Sequence, residues 1–233
     1  MLTLVGLGLD IAEITVKGVD AVKKADVVYL EEYTNIISEE QVSYLEKLTG
    51  RTFQRAVREE LENRSSEIIG RAKNDSVVIL VSGDPLAATT HLSLLEEARE
   101  AGVSAEVVSA PSIFTAVGKT GLQLYKFGRT VSLPSFGEFP SVVEYTKKNL
   151  SADLHTLILL DIGMAPKEAI RHLKAFFPEF VVVSRANRPD MKISWGEAGK
   201  LEEIDFGKAP HCLIVPAKLH FAEEAFLKWF RFE

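Results

Sequence analysis

The chain has a single cysteine, Cys212, in 233 residues, so an internal disulfide is excluded. Cys212 sits inside the apolar run Cys212 to Val215, and a thiol in that setting reads as a buried small hydrophobe rather than a nucleophile. No apolar stretch approaches the roughly 20 residues that a membrane-crossing helix requires. The first residues lack a basic segment followed by an apolar one and a cleavage site, the pattern of a secretory leader. The expectation is a soluble, cytoplasmic protein with no membrane partner. Basic residues are in deficit: 27 Lys and Arg against 33 Asp and Glu give a formal net charge of -6. That balance disfavours nonspecific attraction to polyanions, so no nucleic-acid partner is expected. The histidines at 91, 155, 172, 211 and 220 show no paired zinc spacing, and no metal is expected. Internal repeats and low-complexity tracts are missing as well.

What is present is alternation. At 46% hydrophobic content the chain can build one large or two small domains, and two are expected. Apolar or β-branched runs at Leu2 to Val5, Asp26 to Leu30, Ser76 to Val81 and Ala105 to Val108 alternate with amphipathic stretches at Thr15 to Lys24, Ser38 to Leu48, Arg58 to Lys73 and Leu92 to Ala101. This is the rhythm of a largely parallel sheet. Ser38 with Gln41 makes a capping box, and Gly102 is a helix stop. The pattern changes after Ala110-Pro111, where Gly118, Gly121 and Gly128 fall near Pro134, Gly137 and Pro140. Ser109 to about Ala116 reads as a hinge, dividing the chain into domains 1–110 and 111–233. The second half predicts strands at Arg129 to Leu133, His155 to Leu160, Phe180 to Val183 and Cys212 to Val215, with helices at Val142 to Asn149, Lys167 to Phe177 and Phe221 to Phe230. Lys192 to Trp195 and Leu201 to Ile204 suggest a hairpin, which would make the second sheet mixed. The expected fold class is therefore α/β: two α/β domains with a ligand cleft between them, a preferred place for a small molecule.

The most informative segment is Ser82-Gly83-Asp84-Pro85-Leu86-Ala87-Ala88-Thr89-Thr90-His91, which follows an apolar run. Gly83 permits a turn, Asp84 can cap free N–H groups, and Pro85 suits the first position of a helix expected to open there. A second strand runs into Gly6-Leu7-Gly8-Leu9, which invites a dinucleotide-binding reading, with Glu31 or Glu32 as the ribose-binding acid. Against it, the position of the third glycine holds Ile11, and the helix starts only around Thr15, so a pyrophosphate would lack its helix N-terminus. A third turn, Ala110-Pro111-Ser112-Ile113, follows another apolar strand, and Leu154 to Ile162 and Pro210 to His220 complete the set.

In that order the segments GLGL, GDPLAATTH, APSI, LHTLILLDI and PHCLIVPAKLH resemble the diphthine synthase family, methyltransferases of the tetrapyrrole-methylase-like class, over most of the chain. The resemblance implies S-adenosyl-L-methionine as cofactor and S-adenosyl-L-homocysteine as its product. Such a ligand carries no phosphate and calls for backbone polar groups, apolar walls and a carboxylate. Matched position by position, the implied cofactor contacts are Leu9, Asp84, Ala87, Ser112 and Ile113, joined by Leu160, Ala186 and His211 from the second half. Each has a structural alternative: Leu9, Ile113 and Leu160 as core, Ala87 and Ala186 as packing, Ser112 as a helix cap, and His211 as a backbone-only contact. Tyr33, Thr34, Lys218 and His220 also match the family pattern, with structural or substrate-binding roles. After Asp161-Ile162 the chain passes through Gly163 to Pro166 straight into a helix, where the family often has a longer segment.

The implied acceptor is the 3-amino-3-carboxypropyl-histidine of translation elongation factor 2, methylated on its amine to diphthine by what the resemblance makes a homodimer. Phe226 to Phe232 would serve either that interface or the core. No residue is assigned as general base; Asp84 and Asp161 are the nearest by motif, and cofactor binding or capping explains each as well. The alternatives are a porphyrinoid C-methyltransferase on the same fold and a noncatalytic adenosine-ligand-binding module.

Overall fold

The structure, a computed structural model, describes residues 1–33 and 37–232. The chain divides into two compact units, Met1–Ile113 and Phe114–Glu233. The division falls three residues beyond the sequence boundary, and it leaves Ser112 and Ile113 in the first unit.

The first unit is built on strands β1 (Leu2–Gly6), β2 (Val27–Glu31), β3 (Gln54–Ala56), β4 (Val77–Val81) and β5 (Ala105–Val108), with helices α1 (Val16–Lys24), α2 (Glu39–Thr49), α3 (Ser65–Ala72) and α4 (Leu92–Glu100). The strands are all parallel, in the order β3-β2-β4-β1-β5. β1 and β4 are buried along their whole length, as a parallel sheet covered on both faces requires. Successive residues go to opposite faces: Leu4 and Ile79 pack in one core with Ile69 and Ala98, and Val5 and Leu80 in another with Val22 and Leu45. Each fully buried side chain of this size contributes about 1.5–3 kcal/mol.

Two expectations need correction here. Arg58 to Lys73 is not one helix: a wide turn at Glu59–Asn63 ends at Arg64, whose φ of -121° leaves the helical region, and α3 starts afresh at Ser65. The buried Ser65 hydroxyl donates to Glu97 on α4 (2.5 Å), so this residue anchors a helix pair. The Ser82–His91 segment does not open a helix either, since α4 begins only at Leu92 and Pro85 lies in an irregular loop. Strand β3 was missed because three residues, two of them exposed, carry no legible alternation.

The second unit contains α5 (Ile113–Ala116, which straddles the division), β6 (Val131–Leu133), α6 (Pro140–Ser151), β7 (Thr156–Leu160), α7 (Pro166–Leu173), β8 (Glu179–Ser184), β9 (Lys192–Glu197), α8 (Ala198–Leu201), β10 (His211–Val215) and α9 (Phe221–Leu227). Its sheet runs β6-β7-β10-β8-β9 and is mixed: β6 and β7 are parallel, and β10 and β9 are antiparallel to their neighbours. The hairpin expected between Lys192–Trp195 and Leu201–Ile204 is absent. Lys192–Glu197 pairs with β8, and Ala198 and Leu201, three apart and both buried, turn a short helix into the core. Within Phe226 to Phe232, Phe226 and Trp229 stack with centroids 6.0 Å apart and are exposed, whereas Leu227 is fully buried in the core. Cys212 is fully buried in β10, and burial pushes its thiol up to about 12. No helix among the described residues is long and apolar enough to cross a membrane.

Candidate functional site

In a parallel sheet the C-terminal strand ends share one edge, and ligands bind there. β1 lies between β4 and β5, so the loops after these three strands are neighbours. Their contact is tight. A Cβ on Gly6 would come within 2.7 Å of Ala110 Cβ and of the Gly83 carbonyl oxygen, and 3.0 Å from Pro85 Cδ, so only glycine lets the three loops meet. Gly8 and Gly83 exchange backbone hydrogen bonds, Gly8 N to Gly83 O at 3.2 Å and Gly83 N to Gly8 O at 2.8 Å. Both have left-handed φ, +77° and +73°, which explains the glycine at each position.

Asp84 braces this arrangement. Its Oδ1 accepts from Leu86 N (2.9 Å) and its Oδ2 from Ala110 N (3.1 Å), joining the β4 loop to the β5 loop. The capping role expected for Asp84 therefore serves a loop, not a helix. Leu9, half-buried, donates its backbone N–H to Glu13 Oε2 (2.8 Å), and Asp10 caps the short turn Ile11–Glu13. Ala87 N donates to the Asp84 carbonyl (3.1 Å). Ser112 is buried and immediately precedes α5, which begins at Ile113. Five of the sequence-predicted contacts thus lie in three mutually packed loops.

The other three gather on one edge of the second sheet. β10 lies between β7 and β8 and runs opposite to both, with Cys212 opposite Leu159 and His211 opposite Ser184. The end of β7 (Leu160), the end of β8 and the start of β10 (His211) therefore coincide. His211 Nδ1 lies 2.9 Å from Ser184 Oγ, and burial lowers its pKa. Ala186 is buried between Arg185 and Asn187, both left-handed at φ +52° and +65°, an unusual backbone for non-glycine residues. Arg185 fixes the turn: its N–H donates to the Pro210 carbonyl (2.8 Å) and its guanidinium to Ala209 O (3.0 Å) and Asp190 (2.6 Å).

The chemistry of the three loops in the first unit can be read directly. Residues 6–13, 82–88 and 110–113 hold three carboxylates, Asp10, Glu13 and Asp84, and no Lys or Arg. A pyrophosphate would meet negative charge without a cation, whereas a sulfonium nucleoside, cationic and phosphate-free, fits the donor set. The loops also match the exclusion of a dinucleotide on local structure, because α1 starts at Val16, after the separate turn Ile11–Glu13.

Several motif residues make hydrogen bonds that order the second unit. Asp161 accepts from Ser135 N (3.3 Å), Ser135 Oγ (2.8 Å) and Ile162 N (2.9 Å), and so orders the loop after β7. His155 and Glu223 are both fully buried. His155 Nε2 lies 3.0 Å from Glu223 Oε1, while its Nδ1 accepts from Ala217 N (2.9 Å). The neutral imidazole therefore carries its proton on Nε2 and donates to Glu223. Glu223 also accepts from Gln123 N, His220 N and Lys126 Nζ, each at 2.8–2.9 Å. Burial raises the Glu223 pKa, but these donors outweigh it and hold the carboxyl near 2. His220 caps α9 through Ala222 N, and the Lys218 carbonyl accepts from Lys126. Sequence reading missed Glu223, which has no motif of its own, and left Thr34 as a family match; Thr34 lies outside the described residues.

Comparison with known proteins follows the same lines. Residues 1–204 match the family model of the Tetrapyrrole (Corrin/Porphyrin) Methylases. The diphthine synthase of Methanocaldococcus jannaschii is 38% identical over 252 residues, covering 98% of this chain and 98% of the relative. That of Methanococcus aeolicus is 37% identical, covering 98% and 97%. A diphthine synthase crystal structure superimposes with a TM-score of 0.92 at 38% identity, over 99% of this chain and 95% of that one. The chain belongs to the tetrapyrrole methylases and, within that class, to the diphthine synthase family.

Proposed function

We propose that this protein is an S-adenosyl-L-methionine-dependent N-methyltransferase that methylates the amine of the 3-amino-3-carboxypropyl-histidine of translation elongation factor 2, forming diphthine. The single observation that carries the reading is the close junction of the three loops at Gly6, acidic and free of basic residues, in a chain of this family. Leu9, Asp84, Ala87, Ser112 and Ile113, gathered in the three loops of the first unit, would hold the cofactor. When bound, S-adenosyl-L-methionine supplies a methyl group already activated by a positive sulfur.

The work left to the protein is orientation. Holding reacting atoms in line supplies on the order of 7 to 11 kcal/mol of barrier reduction. The acceptor amine must be neutral, and for an amine of pKa about 8 to 10 this costs roughly 1 to 4 kcal/mol near pH 7. Positioning therefore outweighs base strength, and no general base is assigned. Asp84 and Asp161 both have their carboxylates committed to backbone and hydroxyl donors. A homodimer in the cytoplasm, where the elongation factor works, completes the reading. No observation favours a porphyrinoid acceptor or a noncatalytic module. The test is incubation of the purified chain with cofactor and precursor-bearing elongation factor 2, followed by mass spectrometry of the histidine peptide. Mass increments of methylation are expected, and an unmodified peptide beside an active control enzyme would refute the assignment.

A further inference from the structure

The edge that carries the Asp84 loop continues one strand further. β2 lies beside β4 with Leu30 opposite Leu80, and Tyr33 follows two residues after β2 ends. The Tyr33 hydroxyl lies 3.2 Å from His91 Nε2, and His91 Nδ1 lies 2.7 Å from Thr89 Oγ1. The imidazole also hydrogen-bonds the Pro85 carbonyl, and Pro85 is one of the residues packed at Gly6. His91 is 1% exposed, so it links Tyr33 to both ends of the Asp84 loop from inside the protein. Burial lowers its pKa against the pull of Glu31 and Glu62, leaving a neutral ring able to donate at one nitrogen and accept at the other.

Tyr33 itself is half-buried. Its backbone N–H donates to Glu31 Oε1 (2.8 Å), and the Arg58 guanidinium lies 5.2 Å over its ring. Thr90 contacts the phenol and donates its own hydroxyl to Glu62 (3.0 Å). Burial first, then Glu31 and Glu62, push the phenol up to about 12, so it remains a neutral hydroxyl at working pH. A neutral phenolic oxygen can accept one N–H of an incoming amine while leaving the nitrogen lone pair unengaged. A fixed angle is what makes that useful, because in-line attack tolerates little misplacement.

We propose that Tyr33 is a substrate contact that orients the acceptor amine for methyl transfer, and that His91 is the positioning residue that holds Tyr33 against the cofactor loop. This rests on the amine-methylating reading given above.

The experiment uses the full chain and measures S-adenosyl-L-methionine affinity by calorimetry, steady-state methylation of precursor-bearing elongation factor 2, and the thermal midpoint. The parent protein must methylate the acceptor; if it does not, the proposed function fails and this inference with it. Given an active parent, Tyr33→Phe should keep cofactor affinity within about twofold and lower kcat about tenfold, the size of one orienting hydrogen bond. His91→Leu should lower kcat similarly, His91→Gln should recover part of the loss, and the double variant Tyr33→Phe with His91→Leu should be no worse than the worse single one. Parental kcat in Tyr33→Phe overturns the inference while leaving the enzyme assignment intact. A matching loss of cofactor affinity, or losses that multiply in the double variant, overturns it equally.

Discussion

The two units reach a comparable result by opposite means. In the first, the candidate contacts sit at the C-terminal ends of parallel strands, and backbone groups do the joining: Gly6 admits its neighbours, Gly8 and Gly83 bond to each other, and Asp84 ties two loops together. In the second, contacts come from the ends of two strands and the start of an antiparallel third, while a buried side-chain network centred on Glu223 ties down the opposite edge, where β7 starts and β10 ends. The contrast teaches that a junction made of main chain is sensitive to added volume, whereas a network built on buried charge is sensitive to lost partners.

The largest expected effect lies in the second unit. Glu223→Ala strands His155, Lys126 and two backbone N–H groups, and loss of a buried partner of this kind costs about 3–5 kcal/mol. Denaturant unfolding checks this, and a change below about 1 kcal/mol would show that the network is dispensable. The same network sets an acid limb. His155 and Glu223 both have pKa values lowered in the folded state, so each contributes stability above its unfolded pKa that disappears as pH falls. Stability should decline first below about 6.5 through His155, then between about 4.5 and about 2 through Glu223, and Glu223→Gln should flatten the lower part.

In the first unit, Gly6→Val forces atoms into Ala110 and the Gly83 carbonyl. It should cost about 1–3 kcal/mol and remove calorimetrically detectable cofactor binding, in contrast to a Glu223 variant that still folds. Asp84→Ala leaves the N–H groups of Leu86 and Ala110 unpaired, and it should weaken cofactor affinity about tenfold or more while changing kcat less. Equal cofactor binding by mutant and parent would sink the role given to Asp84. Smallest is Cys212→Ala, expected to cost about 1 kcal/mol through a small void and to leave methyl transfer at the parental rate.

The same comparison explains how much was legible beforehand. Strand–loop order alone places Leu9, Asp84 and Ser112 together, because parallel strands put every C-terminal end on one edge, and β1, β4 and β5 announce themselves as apolar runs. For Leu160, Ala186 and His211, periodicity locates the strands but cannot say that β10 runs antiparallel between β7 and β8; that information is long-range. The hairpin failed for a related reason, since Leu201 and Ile204, three apart across two glutamates, lack the alternation of a strand, and Leu201 ends a short helix instead. Pro85 misled because its fixed φ suits a loop as readily as a helix start, and the chain spends six more residues before Leu92, among them Thr89 and His91. Tyr33 and His91, 58 residues apart, meet only through the β2–β4 pairing.

The central claim is that the three loops gathered at Gly6 hold a sulfonium nucleoside. A crystal structure of the protein with S-adenosyl-L-homocysteine tests it most directly. The prediction is density touching Leu9, Asp84 and Ser112; density lying elsewhere on the molecule would contradict it.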